Sequence, residues 1–600
     1  MVFIPLMLSQ RQRPYNALMA SSDQSTPWET YQKAINAHAA GDWHSALWAY
    51  HSLDANGINS SAFEFAFALA LQQAPVSDGG DISAALARYD RVVAIEPSHA
   101  HAWLNRGACF VSLGQSTAAL ESYSRAIEAD NQLALAYFNR GVLHHGLGQF
   151  DQAIKDYECA LNLEPQQSTW IFNLAEAWRA KGLLTRALAL YDQALAIDPR
   201  YEGAWCNRGV VLRSLGRFEE SVESLSQAIA VNPGYAEAYS NRGLAFRDSQ
   251  ALDQAIHSFS KAIAIRPDYS NAHLNQAFTR LLLGDYKEGF RQYEWRHLSS
   301  QSAQSAHPFK SPLWLGEPSL AGKCLLIHAE QGLGDTLQFV RFVRHVANEA
   351  SKILLFVPDV FHRLFSQLAP NIELVNTIEA TEGADFRIPM VSLAFALGCE
   401  AHRIPDRAGY LEASQATRSL WQARIEERLS LIHPRPLCVG LVWRGRGQPN
   451  PLRNIELHSL LPKLPREHLY VTLQPDLQAD EIDQFAPPDA CALDPRPRCA
   501  HLGAGLADFA DTAAICSLMD LVISVDTSLA HLAGALGQSS LVLLPFSPDW
   551  RWGLGRSEAP WYASVELLRQ GAHGQWDDVL HELPKRMAQM FAKNRRLQNH

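Results

Sequence analysis

Apolar and polar positions along this chain follow two different rhythms, and the change between them divides it. Over residues 27–296, apolar residues recur at helical spacing in short runs, and the runs themselves repeat every 34 residues. Gly107, Gly141, Ala175, Gly209, Gly243 and Ala277 hold one position of the period, and Ala119, Ala153, Ala187, Ser221 and Ala255 a second. Tyr123, Tyr157, Tyr191, Leu225, Phe259 and Tyr293 hold a third, while Pro165, Pro199, Pro233 and Pro267 close four units. Small residues let two helices of a unit approach, the large residue is expected to fill the gap between units, and proline stops the second helix. Two less regular units, around Gly41, Ala46 and Tyr50 and around Ala85, Tyr89 and Pro97, bring the number to about eight.

From Lys323 the pattern becomes short apolar runs alternating with helical segments, which reads as α/β. Strands are expected at CLLIHAE (324–330), ILLFV (353–357), FRIPM (386–390), CVGLVW (438–443), LYVTL (469–473), LVISV (521–525) and LVLLP (541–545). Helices are expected at 511–519 and along the tail, 576–597, with a helical bridge over 413–431 between two α/β halves. The chain is organised around LVISVDTSLAHLAGALG (521–537), a strand buried on both faces that runs directly into a helix. Thr527 and Ser528 stand where the helix is capped, and Gly537 where it ends. Backbone N–H groups at such a junction face the crevice at the strand's carboxyl end and favour an anion, with Asp526 and His531 on its flanks. The expected layout is an N-terminal extension (1–26), a helical repeat region (27–297), a strap carrying Trp314 and Leu315 (298–320), a first α/β half (321–432) and a second with a C-terminal helix (433–600).

Composition narrows the class. With 600 residues, 47% hydrophobic and 19% charged, the chain is a multidomain folded protein. A net charge of −10 gives no general reason to expect nucleic acid or an anionic membrane as partner. The nine cysteines lack CxxC spacing and sit mostly in apolar segments, as in a reducing compartment. The first residues, MVFIPLMLSQRQR, make a poor signal peptide, and no span-length apolar stretch follows, so a cytoplasmic location is expected.

The repeat closely resembles the tetratricopeptide superhelix. Asn105, Asn139, Asn173, Asn207, Asn241 and Asn275 recur on the first helix of six units, the helix that in that family lines the concave groove. An amide both donates and accepts, so a stack of them suits an extended peptide backbone. The stack resembles the asparagine ladder of eukaryotic O-linked N-acetylglucosamine transferases, although asparagine at this position also serves to bond a neighbouring helix. Arg106, Arg140, Arg208 and Arg242 follow four of these asparagines and either favour acidic segments of a partner or are simply solvated.

HAEQGLGDTLQF, DFADTAA, ISVDTSLAHLAGALG and LLPFSPDWRW resemble motifs of bacterial tetratricopeptide proteins carrying a heptosyltransferase-like (glycosyltransferase family 9) domain with the GT-B fold. The resemblance implies a glycosyltransferase using a nucleotide-sugar donor, with no cofactor and, since there is no DxD motif, no metal. The backbone of Thr527, Ser528 and Leu529 would hold the departing diphosphate together with Arg453 of PLRNIEL, where that family places a cationic phosphate ligand. RGRGQPNP just before it departs from the family pattern, and Arg444 or Arg446 are alternatives. Asp335 matches the family's proposed general base, with His328 and Glu330 as rivals and helix capping as its plain structural role. Asp508 is expected to face the nucleotide and Asp511 to cap its helix; His531 bonds the diphosphate or orients Asp526. Trp550 and Trp552 read as core or cleft wall. The implied activity is transfer to a Ser or Thr hydroxyl of a protein held by the repeats, with inversion. Two alternatives stand beside it: a protein-binding scaffold with a silent GT-B module, or transfer to a lipid or polysaccharide acceptor.

Overall fold

A computed structural model of the chain describes residues 27–298, 309–429, 435–445, 451–474, 476–485, 494, 496–502 and 505–598. The N-terminal extension, part of the strap, Arg446 and most of RGRGQPNP lie outside the described residues. The chain divides into two compact units, residues 1–233 and 234–600.

In the first unit the helices come in antiparallel pairs, from Pro27–Ala39 and Trp43–Ala55 to Glu202–Ser214 and Phe218–Val231. The small residue of each period faces the large one of the same pair. A Cβ on Gly107 would stand 2.6 Å from the Tyr123 ring, and one on Gly209 would stand 2.5 Å from Leu225. The large residue therefore fills the space inside its own unit, not only the gap between units as the spacing implied, because the close approach of the paired helices leaves a slot that a ring completes. Tyr50, Tyr89, Tyr123, Tyr157 and Tyr191 are all buried this way. Most of the loops joining paired helices need a left-handed residue: Gly114, Gly148, Gly182 and Gly216 supply it with φ of 73° to 77°.

The second unit opens with two more pairs, Ala236–Asp248 with Leu252–Ile265 and Ser270–Leu283 with Tyr286–Tyr293. The repeat period thus continues into the unit that holds the α/β region. Two sheets follow. The first contains β1 (Cys324–His328), β2 (Lys352–Phe356), β3 (Ile372–Val375) and β4 (Phe386–Pro389) in the order β3-β2-β1-β4. The second contains β5 (Cys438–Val442), β6 (Leu469–Thr472), β7 (Arg498–His501), β8 (Leu521–Val525), β9 (Ser540–Leu544) and β10 (Val565–Arg569) in the order β10-β9-β8-β5-β6-β7. Every strand pair is parallel. Each sheet begins near its middle and reverses direction once, between β1 and β4 and between β5 and β8. In doubly wound sheets the crevice outside the carboxyl ends at such a reversal is where ligands bind.

The three strands absent from the sequence reading, β3, β7 and β10, are all edge strands. Their sequences, IELV, RCAH and VELLR, carry polar residues and are partly exposed, so the apolar run that marks an inner parallel strand is missing. The strap extends the first sheet by one bridge, Leu313 to Arg387, with Trp314 buried and Leu315 exposed. The tail helix, Asp577–Gln598, lies on the second sheet through Leu580, Leu583, Met587 and Met590, and so covers its own half.

Candidate functional site

β8 ends as the pattern required: all five residues are buried, and Asp526 and Thr527 lead into the helix Ser528–Ala535. Thr527 occupies the N-cap position with extended backbone, but its hydroxyl pairs with Ser524 Oγ at 3.1 Å instead of capping a backbone N–H. Of the first-turn amides, Ala530 N–H donates to the Thr527 carbonyl at 3.1 Å, and those of Ser528 and Leu529 are left for another acceptor. Gly537, at φ 68°, follows the last turn as expected.

Across the reversal, β5 leads to Arg444 and Gly445. Arg444 is held by Glu481 at 3.0 Å and by the Asp476 carbonyl, so its guanidinium is engaged on that side. Arg453, at the end of the turn Pro451–Arg453, is placed differently. A Cβ on Gly445 would meet its guanidinium at 3.0 Å and the Thr527 methyl at 3.2 Å, so Gly445, Arg453 and Thr527 converge at the mouth of the β8 helix.

The first half brings its own helix to the same place. Leu333–Ala347 follows β1 through Gly332, and a Cβ on Gly334 would lie 3.0 Å from His531 Cδ2 and 3.6 Å from Ser528 Cα. A side chain there would press on the buried His531 ring, and the two helix N-termini meet at this point. Asp335 is the third residue of its helix, and its Oδ2 accepts the Gly332 N–H at 3.1 Å. Its Oδ1 is paired with Arg551. Arg551, with its side chain 11% exposed, also donates to Asp549 at 2.7 Å and to Gln338 at 2.8 Å. Burial alone would lower its pKa, but Asp335 and Asp549 outweigh that and raise it. This arginine escaped the sequence reading; its only signal was a lone cation inside the apolar motif PDWRW.

Asp526 is the perturbed carboxyl of the site. Burial pushes its pKa up to about 6, the charge of Asp549 adds to this, and Trp552, Arg453 and Arg551 oppose it. His531 is 5% exposed, with Nδ1 2.9 Å from the Tyr562 hydroxyl and its ring stacked on Trp552 at 5.2 Å. Burial, then the charges of Arg551 and Arg341, hold its pKa well below the ordinary value, so it is neutral at physiological pH. Its recorded partner is thus Tyr562, not Asp526. Trp550 and Trp552 are buried, as expected of core or wall.

Other expected residues fall elsewhere. His328 ends β1, 1% exposed, with its ring 4.9 Å from Phe309. Glu330 pairs with Arg296 at 2.7 Å, and Arg296 reaches Ser392 Oγ at 2.5 Å, so the last turn of the repeats is tied to the loops after β1 and β4. Both aspartates of DFADT serve the start of their helix, and Asp511 Oδ2 accepts the Ala507 N–H at 3.1 Å. Asp508 is the N-cap, accepting from Ala510 at 2.9 Å and Asp511 at 3.3 Å, and is paired with Arg363 at 3.2 Å. Asp511 is buried against the Trp421 indole, which donates at 3.0 Å. The cap goes to the residue whose backbone is still extended, and the sequence did not show where the helix starts.

The six repeat asparagines are all half-buried on the first helix of their pairs. Asn173 donates to the Thr169 carbonyl at 2.7 Å and Asn207 to Glu176 at 2.9 Å. Arginines that follow them clasp helices of the repeat: Arg106 with Asp90, Arg140 with Asp156 and Arg208 with Asp192, each at 2.7 Å. In the second unit, Asn241, Asn271 and Asn275 line an open cavity of about 310 Å³ with Ser240, Tyr269 and Phe278.

Comparison with known proteins supports the repeats. Tetratricopeptide repeat families match residues 77–134, 134–167 and 236–269, a TPR repeat family matches 211–248, and the protein prenyltransferase alpha subunit repeat matches 184–215. Protein FlbA of Caulobacter vibrioides is 28% identical over 333 residues, which cover 51% of this chain and 53% of FlbA. The chain therefore spans about half the length of this curated relative. Among solved structures, YrrB, described as a TPR protein with an unusual peptide-binding site, is 22% identical, covers 31% of this chain and 95% of its own, and has a TM-score of 0.28. A tetratricopeptide repeat protein from Parabacteroides merdae is 16% identical, covers 42% and 98%, and has a TM-score of 0.33. No helix among the described residues is long and apolar enough to cross a membrane. The chain carries tetratricopeptide repeats, matched over residues 77–167 and 211–269, and continues into an α/β region of two parallel sheets.

Proposed function

We propose that this chain is a glycosyltransferase that moves a sugar from a nucleotide-sugar donor to a Ser or Thr hydroxyl of a polypeptide held by the repeats, by a metal-independent displacement with inversion. The observation that carries this reading is the convergence of the Ser528–Ala535 and Leu333–Ala347 N-termini, with Arg453 beside Thr527 and Asp335 facing them from the first half. The amides of Thr527, Ser528 and Leu529 and the Arg453 guanidinium take up the charge of the departing diphosphate. Asp335 takes the proton of the acceptor hydroxyl. Both its oxygens are engaged in the free protein, so one must turn away first, and an anionic donor that competes for Arg551 gives it a reason to do so.

The same engagement of Asp335 favours a second reading, in which the α/β module is silent and the protein acts only as a scaffold. A lipid or polysaccharide acceptor keeps the enzyme and changes the role of the repeats to docking. A screen of UDP-, GDP-, ADP- and dTDP-sugars by thermal shift and hydrolysis separates the enzyme readings from the scaffold. A donor that raises the midpoint in the wild type, not in Arg453→Ala, and that turns over in the wild type but not in Asp335→Ala supports the enzyme. No shift with any nucleotide sugar at millimolar concentration leaves the scaffold. If the enzyme reading holds, the pair Asn173→Ala and Asn207→Ala should weaken peptide capture while donor binding persists. Loss of both together would indicate a folding defect.

A further inference from the structure

The cavity of the second unit lies between the first helices of two consecutive repeats, Ala236–Asp248 and Ser270–Leu283. Its volume, about 310 Å³, is at the low end of what holds a small ligand, so it has room for a residue or two and not for a folded surface. Its chemistry is specific. Asn241, Asn271, Asn275 and Ser240 offer donors and acceptors of neutral charge, and Leu244, Leu274, Tyr269 and Phe278 supply apolar wall. The next charge along the chain, Arg242, lies over the Tyr239 ring at 5.3 Å and is not part of the lining.

The position of this cavity links it to the α/β site. The Phe278 ring packs on Tyr293 at 5.2 Å, the Tyr293 hydroxyl accepts from Gln331 at 2.7 Å, and the next residue, Gly332, donates to Asp335. The helix Ser270–Leu283 also packs on the turn Trp550–Trp552, which carries Arg551, the partner of Asp335. One wall of the cavity is therefore built on the elements that set the proposed base.

We propose that this cavity is a specificity subsite for the acceptor polypeptide: it seats one uncharged side chain of an extended segment, within a few residues of the hydroxyl presented to Asp335. The inference rests on the acceptor being a peptide. The asparagine amides bond the segment's backbone, while the leucine and aromatic wall takes the side chain. An uncharged side chain covers the apolar wall, whereas a charged one finds no ionic partner in the lining, which is the source of the discrimination.

The test uses the full chain and a positional-scanning library of fluorescent, unstructured peptides, read by anisotropy. The wild type should show one position at which neutral residues bind at least about tenfold better than Asp, Glu, Lys or Arg, about 1.4 kcal/mol. Leu244→Trp, which fills the cavity, should flatten that preference while leaving capture in place. Asn275→Asp should switch the preferred residue at that position to Lys or Arg, a gain that misfolding cannot mimic. Peptide capture without any positional preference, or a preference unchanged in both variants, overturns the subsite and leaves the groove reading intact. No capture by the wild type overturns both, while a nucleotide-sugar shift in the same preparation would preserve the enzyme.

Discussion

Replacing Asp526 by Asn should make the protein more stable at neutral pH, by an amount that shrinks as the pH falls. Asp526 has a pKa of about 6 in the folded chain against 3.8 for a free aspartate. A folded pKa above the unfolded one means that the native state binds the proton more tightly, so stability is fully present at low pH and is lost as pH rises through the folded value. Ionising this carboxyl costs the native state on the order of 3 kcal/mol above pH ~7, of which about 1.6 is already felt at pH ~5. The stability difference between Asp526→Asn and wild type should therefore grow by about 1.4 kcal/mol from pH ~5 to ~7.5, on top of any constant offset from the amide. Urea titrations followed by tryptophan fluorescence across that range measure it. Because the charge of Asp549 is the second cause of the shift, Asp549→Asn should move the fall in wild-type stability to lower pH. A difference between Asp526→Asn and wild type that stays flat from pH ~5 to ~7.5 would refute the burial and charge argument.

Other perturbations test other parts of the same chemistry. Arg551→Met strands the carboxylate of Asp335, 19% exposed, and breaking this partly buried pair should cost about 1–3 kcal/mol, read from the same urea transition; a cost near zero would mean the pair is solvated. Gly107→Ala puts a methyl 2.6 Å from the Tyr123 ring, so overpacking of about 1–3 kcal/mol should exceed the ~1 kcal/mol gained in helix propensity, and hydrogen exchange of Ala100–Ser112 should quicken. Tyr562→Phe leaves His531 Nδ1 without its partner in a buried site, an expected loss of about 1–3 kcal/mol in chemical denaturation.

Much of the architecture was legible because it is local. A period of 34 residues needs only the chain itself to be seen, and the same positions then pair as Gly107 with Tyr123 and Gly243 with Phe259. Inner strands such as Leu521–Val525 announce themselves by burial on both faces, which leaves an unbroken apolar run. Of the edge strands only β4 was legible, in FRIPM; β3, β7 and β10 emerged only once their neighbours were in place.

The site followed the same division. Asp526, Thr527 and the helix after them were readable, since a strand, a turn and a cap follow one another within a few residues. What the sequence by itself determined about this protein was the order of its elements and the residues that stand at their ends. Only the tertiary structure decided which of those ends meet: Asp335 with Arg551, 216 residues on, Gly334 against His531, and Arg296 against Glu330 and Ser392. The physical reason is that periodicity and capping are set by neighbours along the chain, whereas a buried charge takes whatever opposite charge the packed core brings within reach.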